Sequence, residues 1–75
     1  MVVRVLAFGP LAEVLGGREH EINGVSNISE ILEHLGIQEW AENRLTVSIN
    51  GKVCDLDAKV SEGVEVALLP PVSGG

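Results

Sequence analysis

The chain has 75 residues, 45% of them apolar, with one phenylalanine, one tryptophan, one cysteine and a formal charge of −6. That length allows one domain and a small aliphatic core, since domains of this size bury only about 60% of the surface their unfolded chains expose. The acidic balance repels phosphate backbones and excludes nucleic acid as a natural partner, the lone cysteine excludes an internal disulfide, and no run reaches the ~20 apolar residues of a membrane span.

Val2-Val3-Arg4-Val5-Leu6-Ala7-Phe8 is rich in β-branched residues and ends at Gly9-Pro10, so it reads as a first strand. Pro10 suits the first turn of a short helix with Leu11, Val14 and Leu15 on one face and Gly16-Gly17 closing it. Arg18 to Ile22 alternates as a second strand and stops at Asn23-Gly24. The clearest helix follows. Asn27 caps it, Glu30 stands three positions on as in a capping box, and Gly36 supplies the stop. Ile28, Ile31, Leu32 and Leu35 fall at i, i+3, i+4 and i+7, one buried stripe.

Ile37 to Asn43 fits either a further helical turn or a loop in which Trp40 covers the core edge. Leu45 to Ile49 alternates as a half-buried strand, Asn50-Gly51 is a type I′ hairpin signal, and Lys52-Val53-Cys54 returns as a short strand. Asp55 to Val60 turns with Leu56 and Val60 as anchors, and Ser61-Glu62-Gly63 leads into a last strand, Val64 to Leu69. A single main helix covers only one face of such a sheet, which makes the class α+β. The first and last strands are parallel neighbours if the long central connection crosses over, which the pattern alone leaves open.

Alternation then separates two faces. Val3, Val5, Ala7, Val64, Val66 and Leu68 belong with the helix; Arg4, Leu6, Phe8, Glu65, Ala67 and Leu69 belong to the opposite face. A two-residue turn at Asn50-Gly51 pairs Ile49 with Lys52 and puts Val53 on that opposite face beside Ser48. Exposed Phe8, Val53 and Leu69 there predict a protein-binding surface. Basic protein surface is the natural complement of the acidic chain, with rim charge acting mainly on the association rate.

Residues 1–69 are expected to form the domain and 70–75 an extended tail. Pro70 and Pro71 fix φ and lack N–H groups, so they end the ladder stiffly. Val72 and Ser73 lead to Gly74-Gly75, whose missing Cβ atoms let the backbone enter a narrow cleft. Six extended residues reach roughly 20 Å at most. The pattern suits delivery of the Gly75 carboxylate into the active site of another protein.

The ending Leu69-Pro70-Pro71-Val72-Ser73-Gly74-Gly75 closely resembles the C-terminus of the MoaD family, the small subunits of molybdopterin synthase. Glu62 to Ala67, the opening Val5-Leu6-Ala7-Phe8, the short helix ending at Gly16, and Val47 to Asn50 resemble the family in the same order. Leu69 departs from the phenylalanine that many members carry. The resemblance implies a β-grasp (ubiquitin-like) fold, a mixed sheet of four to five strands with one main helix on one face.

It also implies a sulfur carrier that is not catalytic alone. A separate E1-like adenylating enzyme (MoeB-like) would use ATP to activate Gly75, which would then become a thiocarboxylate and donate sulfur to the cyclic pyranopterin precursor. The carrier itself would bind no cofactor and no metal. Pro70, Pro71, Val72, Ser73 and Gly74 would be the tail recognised by partners, while Phe8, Val53 and Leu69 match the family's contact with the large subunit (MoaE-like) in a heterotetramer. The expected setting is cytoplasmic, with neither nucleic acid nor membrane as partner. One alternative with the same tail is a ubiquitin-like modifier conjugated through Gly75, as in small archaeal modifiers. Another is a carrier for thiazole or tRNA thiolation, which shares the fold and the glycine tip but usually lacks the full Pro-Pro-Val-Ser run.

The remaining candidates read as structural. Cys54 on a short strand is a small apolar residue, His20 and His34 lack ligand spacing, and Asp55 and Asp57 favour turn formation without the spacing of a calcium loop. Glu30 and Glu33 read as a cap and a solvated face.

Overall fold

The structure, a computed structural model, describes residues 2–71, with Asn43 described only in its backbone. Its elements are β1 (Val2–Ala7), α1 (Pro10–Val14), β2 (Glu19–Asn23), α2 (Ile28–Leu35), a 3₁₀ segment (Gln38–Asn43), β3 (Thr46–Ile49), β4 (Lys52–Cys54) and β5 (Glu65–Leu69). The five strands form one sheet in the order β2-β1-β5-β3-β4. β1 and β5 run parallel at its centre, and the other pairs are antiparallel. This is the mixed sheet with one main helix expected of a β-grasp fold.

Strand alternation explains which face the helix covers. On β1, Val3, Val5 and Ala7 are fully buried; on β5, Val66 and Leu68 are fully buried. Register aligns them into rows, Val5–Val66–Ile49 and Ala7–Leu68–Val47–Cys54. Leu11, Ile28, Ile31, Leu32 and Ile37 close over these rows, so the core is aliphatic throughout. Trp40 packs against its margin from the 3₁₀ segment, as a cover and not a centre. The hairpin turn is of the expected kind: Asn50 and Gly51 both have positive φ, 50° and 87°.

α2 shows how local chemistry fixes an element. The first N–H groups of a helix have no intrahelical acceptor. Here the N–H of Ile28 donates to the Ala58 carbonyl at 3.1 Å, that of Ser29 to the Leu56 carbonyl at 2.9 Å, and that of Glu30 to the Asn27 side chain at 2.9 Å. The loop after β4 is thereby tied to the helix start. The Glu30 carboxylate reaches one residue further back than a capping box requires, accepting from the Ser26 N–H. Gly36, at φ 73°, ends the helix in the left-handed region. Asn27→Ala should lower unfolding free energy by about 1 kcal/mol, read as a shift in urea midpoint, with Asn27→Ser recovering most of it.

One expectation about α1 fails. Leu11 is buried and Leu15 half-buried, but Val14 is 59% exposed. In a helix of five residues the core contact spans a narrow arc. Leu11 and Leu15 stand one turn apart on that arc with Ala12 beside them, and Val14 falls on its far side.

Candidate functional site

The sheet face away from α2 carries three rows set by the strand register. The first is Glu21–Arg4–Glu65. The second is Glu19–Leu6–Ala67–Ser48–Val53, crossing all five strands. The third joins Phe8, the residue after β1, with Leu69 and Thr46; the N–H of Phe8 donates to the Leu68 carbonyl at 3.3 Å and carries the parallel ladder one step further. The rows sort by chemistry. The first is ionic and the other two are mainly apolar or small.

Of the residues that alternation assigned to this face, Val53 is 75% exposed and Leu69 37% exposed, while Phe8 and Leu6 are half-buried. Leu69 and Val53 lie two strands and two residues apart, roughly 12 Å from strand spacing and rise. Between them sit Ala67 and Ser48, and Ser48 is only 7% exposed although it points outward. Its neighbours shade it, so the centre of the face is a shallow floor with taller apolar side chains around it. Sequence reading noted Ser48 only as the neighbour of Val53. The signal for its role was its pairing with both Val53 and Ala67, which needs the strand order.

Charge lines one side of the floor. Arg4 lies 3.6 Å from Glu19 and 3.9 Å from Glu65, with all three side chains about half exposed. Such solvated pairs contribute little stability, about 0–1 kcal/mol. Their larger effect is on the electrostatic pattern that an approaching partner meets.

The floor ends where β5 ends. β5 stops at Leu69, and Pro70 and Pro71 follow outside the ladder, Pro70 half-buried and Pro71 exposed. Val72, Ser73, Gly74 and Gly75 lie outside the described residues.

The other candidates are scattered. Cys54 is on the helix side of β4 and packs at the core margin; burial pushes its thiol pKa up, and the Asp55 carboxylate adds to the rise. A thiol held protonated is a weaker nucleophile. His20 places its ring nitrogen Nε2 3.0 Å from the Gly17 carbonyl. Among the described residues no three His, Cys, Asp or Glu side chains gather as a metal site, and no helix is long and apolar enough to cross a membrane. A depression of about 190 Å³ between α2 and the 3₁₀ segment is lined by Ser29, Leu32, Gln38 and Leu56 among others, away from the sheet face just described.

Known proteins agree with this architecture. The chain is 27% identical over 81 aligned residues to the molybdopterin synthase sulfur carrier subunit of Escherichia coli (strain K12), covering 99% of this chain and all of that protein. The crystal structure of SAMP1 from Haloferax volcanii, a small archaeal modifier protein, superposes with a TM-score of 0.80 at 28% identity over the full length of both chains. Subunit 1 or 2 in the protein–protein complex of molybdopterin-converting factor from Helicobacter pylori 26695 superposes with a TM-score of 0.69 at 29% identity, again over both full lengths. The model of the ThiS family matches residues 5–75. With nearly the whole length matched and the β-grasp sheet in place, this chain belongs to the ThiS family.

Proposed function

We propose that the chain is a sulfur carrier acting as the small subunit of molybdopterin synthase, with residues 1–69 as its docking body and 70–75 as its reactive arm. The observation that carries this reading is the position of the apolar floor: Phe8, Val53 and Leu69 surround it, and the Pro70-Pro71 exit begins at its edge. A partner seated on that face stands next to the start of the tail. Leu69 serves both as docking residue and as the last rung before the arm.

The chemistry follows from the terminal group. A free α-carboxylate, of reference pKa about 3.5, is ionised at neutral pH and resists nucleophiles. A Gly75 carboxylate oxygen therefore first attacks the α-phosphorus of ATP on a separate adenylating enzyme, expelling pyrophosphate. A sulfide-level donor then displaces AMP from the acyl carbon and leaves a thiocarboxylate. Its sulfur attacks an electrophilic carbon of the pterin precursor in a pocket of the large subunit and displaces an oxygen substituent of that carbon. Water then cleaves the acyl–sulfur bond of the thioester, so that the sulfur stays on the precursor and the carboxylate returns. Pro70 to Gly74 are the stretch that both partners would grip. A reducing, cytoplasmic compartment suits a thiocarboxylate and a free Cys54.

Incubation with an adenylating enzyme of this class, ATP and a sulfide donor should add about 16 Da to the C-terminal peptide, the exchange of one oxygen for sulfur that turns the terminal carboxylate into a sulfur nucleophile. The loaded chain, mixed with a synthase large subunit, should then convert the pterin precursor. Failure of both steps with folded protein would remove the proposal. A second reading, a modifier joined through Gly75 to lysines of other proteins, is favoured by the full-length likeness to SAMP1. Isopeptide links between Gly75 and lysines of other proteins in the source cells, seen after trypsin as lysines carrying the Val60 to Gly75 peptide, with no thiocarboxylate formed, would decide for it.

A further inference from the structure

We propose that Gly9 is a positioning residue for the tail: it holds the turn between β1 and α1 as a seat for Pro70, and so sets the direction in which the chain leaves β5. Gly9 has φ 60° and ψ −141°. That is the mirror image of the extended, polyproline-like conformation, open to glycine and strained for L-residues with a side chain. Pro10 follows it and disfavours the helical alternatives for the residue before it. The carbonyl of Gly9 also accepts from the Ala12 N–H at 3.1 Å, so the turn is fixed on its helical side.

A comparison within the molecule separates this glycine from the others. Gly16, Gly24, Gly36, Gly51 and Gly63 also have positive φ, yet a Cβ added at any of them would meet nothing within 4 Å. At Gly9 the same point lies 3.5 Å from Cγ of Pro70. The other turns only reverse the chain, whereas here the end of β5 lies against the turn. The bond from the Phe8 N–H to the Leu68 carbonyl fixes the backbone two residues before Pro70, and the Pro70 ring then stands beside the turn. At 3.5 Å an added Cβ would make only ordinary van der Waals contact with the ring, so it is the φ of Gly9, not a lack of room, that reserves the position for glycine.

The purpose of that direction rests on the carrier reading; the seat itself does not. Once the body is docked on a partner at saturation, turnover scales with the fraction of complexes whose tail enters the cleft. Loss of the seat should therefore lower kcat and leave KM in place. A variant that merely folds less well behaves in the opposite way, raising the apparent KM.

The test uses the full chain made by peptide ligation, with Gly9→Ala and with the same substitution made from D-alanine. The D-residue prefers positive φ as an L-residue prefers negative φ, so it keeps the turn. Two readouts are taken: nuclear Overhauser contacts between the Pro70 ring and the α-proton of residue 9, and ATP–pyrophosphate exchange with the adenylating enzyme. For L-alanine the Pro70 contacts should vanish while the core contacts stay, and kcat should fall roughly tenfold with KM within about twofold. The D-alanine chain should match the natural one in both.

Retained Pro70 contacts in the L-alanine chain, equal losses for both isomers, or an effect confined to KM would each overturn the proposal. Should Gly9→Ala not fold, Pro70→Ala must show the same fall in kcat at constant KM, and an unchanged kcat would overturn it. If no adenylating enzyme turns over the natural chain, the carrier reading fails, while the Pro70 contacts in the two isomers still decide whether the seat exists.

Discussion

Deletion of Gly75 should abolish sulfur loading and leave the melting temperature of the domain unchanged. The carboxylate of the shortened chain would sit about 3.5 Å short of its place. Reacting atoms must come within about 3–3.5 Å with their orbitals aligned, and a misplacement of 1 Å already costs on the order of 10²-fold, so a full residue should cost 10³-fold or more. Appending one residue to Gly75 should give the same loss, since the carbonyl beside ATP is then one unit too far along. The fraction of chain carrying the added mass of sulfur, about 16 Da, measures both. An adaptor that never uses its terminus would be indifferent to either change, and retained loading or retained biological activity would discard the proposed chemistry.

What could be read beforehand follows from how local each cause is. The α2 boundaries were legible because Asn27, Glu30 and Gly36 act within a few residues of themselves. The Asn50-Gly51 turn was legible because only a few residue types accept positive φ at both positions. The two faces of β1 and β5 were legible by alternation, and the same rule exposed Val53 and Leu69. Val14 was misplaced because a helix of one and a half turns offers no periodicity to measure, and the arc it buries is chosen by the sheet. The floor at Ser48 was hidden because its cause is non-local: β5 must insert between β1 and β3 before Ala67, Ser48 and Val53 share a row. Gly9 was noticed as a strand end, but its nearness to Pro70 joins positions sixty-one residues apart in the numbering and leaves no mark in either neighbourhood.

Leu69→Asp and Val53→Asp should each weaken binding to a synthase large subunit by about 2–4 kcal/mol, thirtyfold or more in Kd, as expected for central apolar contacts of an interface. A carboxylate pressed against an apolar partner loses its hydration without gaining a hydrogen bond, so the cost exceeds that of removing the side chain. Val53 is 75% exposed, so Val53→Asp should move the stability of the free chain by no more than about 0.5 kcal/mol. Leu69 is 37% exposed and paired in β5, so Leu69→Asp should cost about 1–2 kcal/mol, still leaving a folded chain to titrate. Val14→Asp supplies the control, because Val14, at 59% exposed, lies between the two in exposure and is placed on α1 and not on the sheet face. Titration calorimetry of the three variants separates a defined face from general stickiness: equal losses at all three would mean that the partner senses only total apolar surface or net charge. Loss at Leu69 and Val53 alone would locate docking where the last strand hands over to the tail, so that binding the body and presenting the arm become one event.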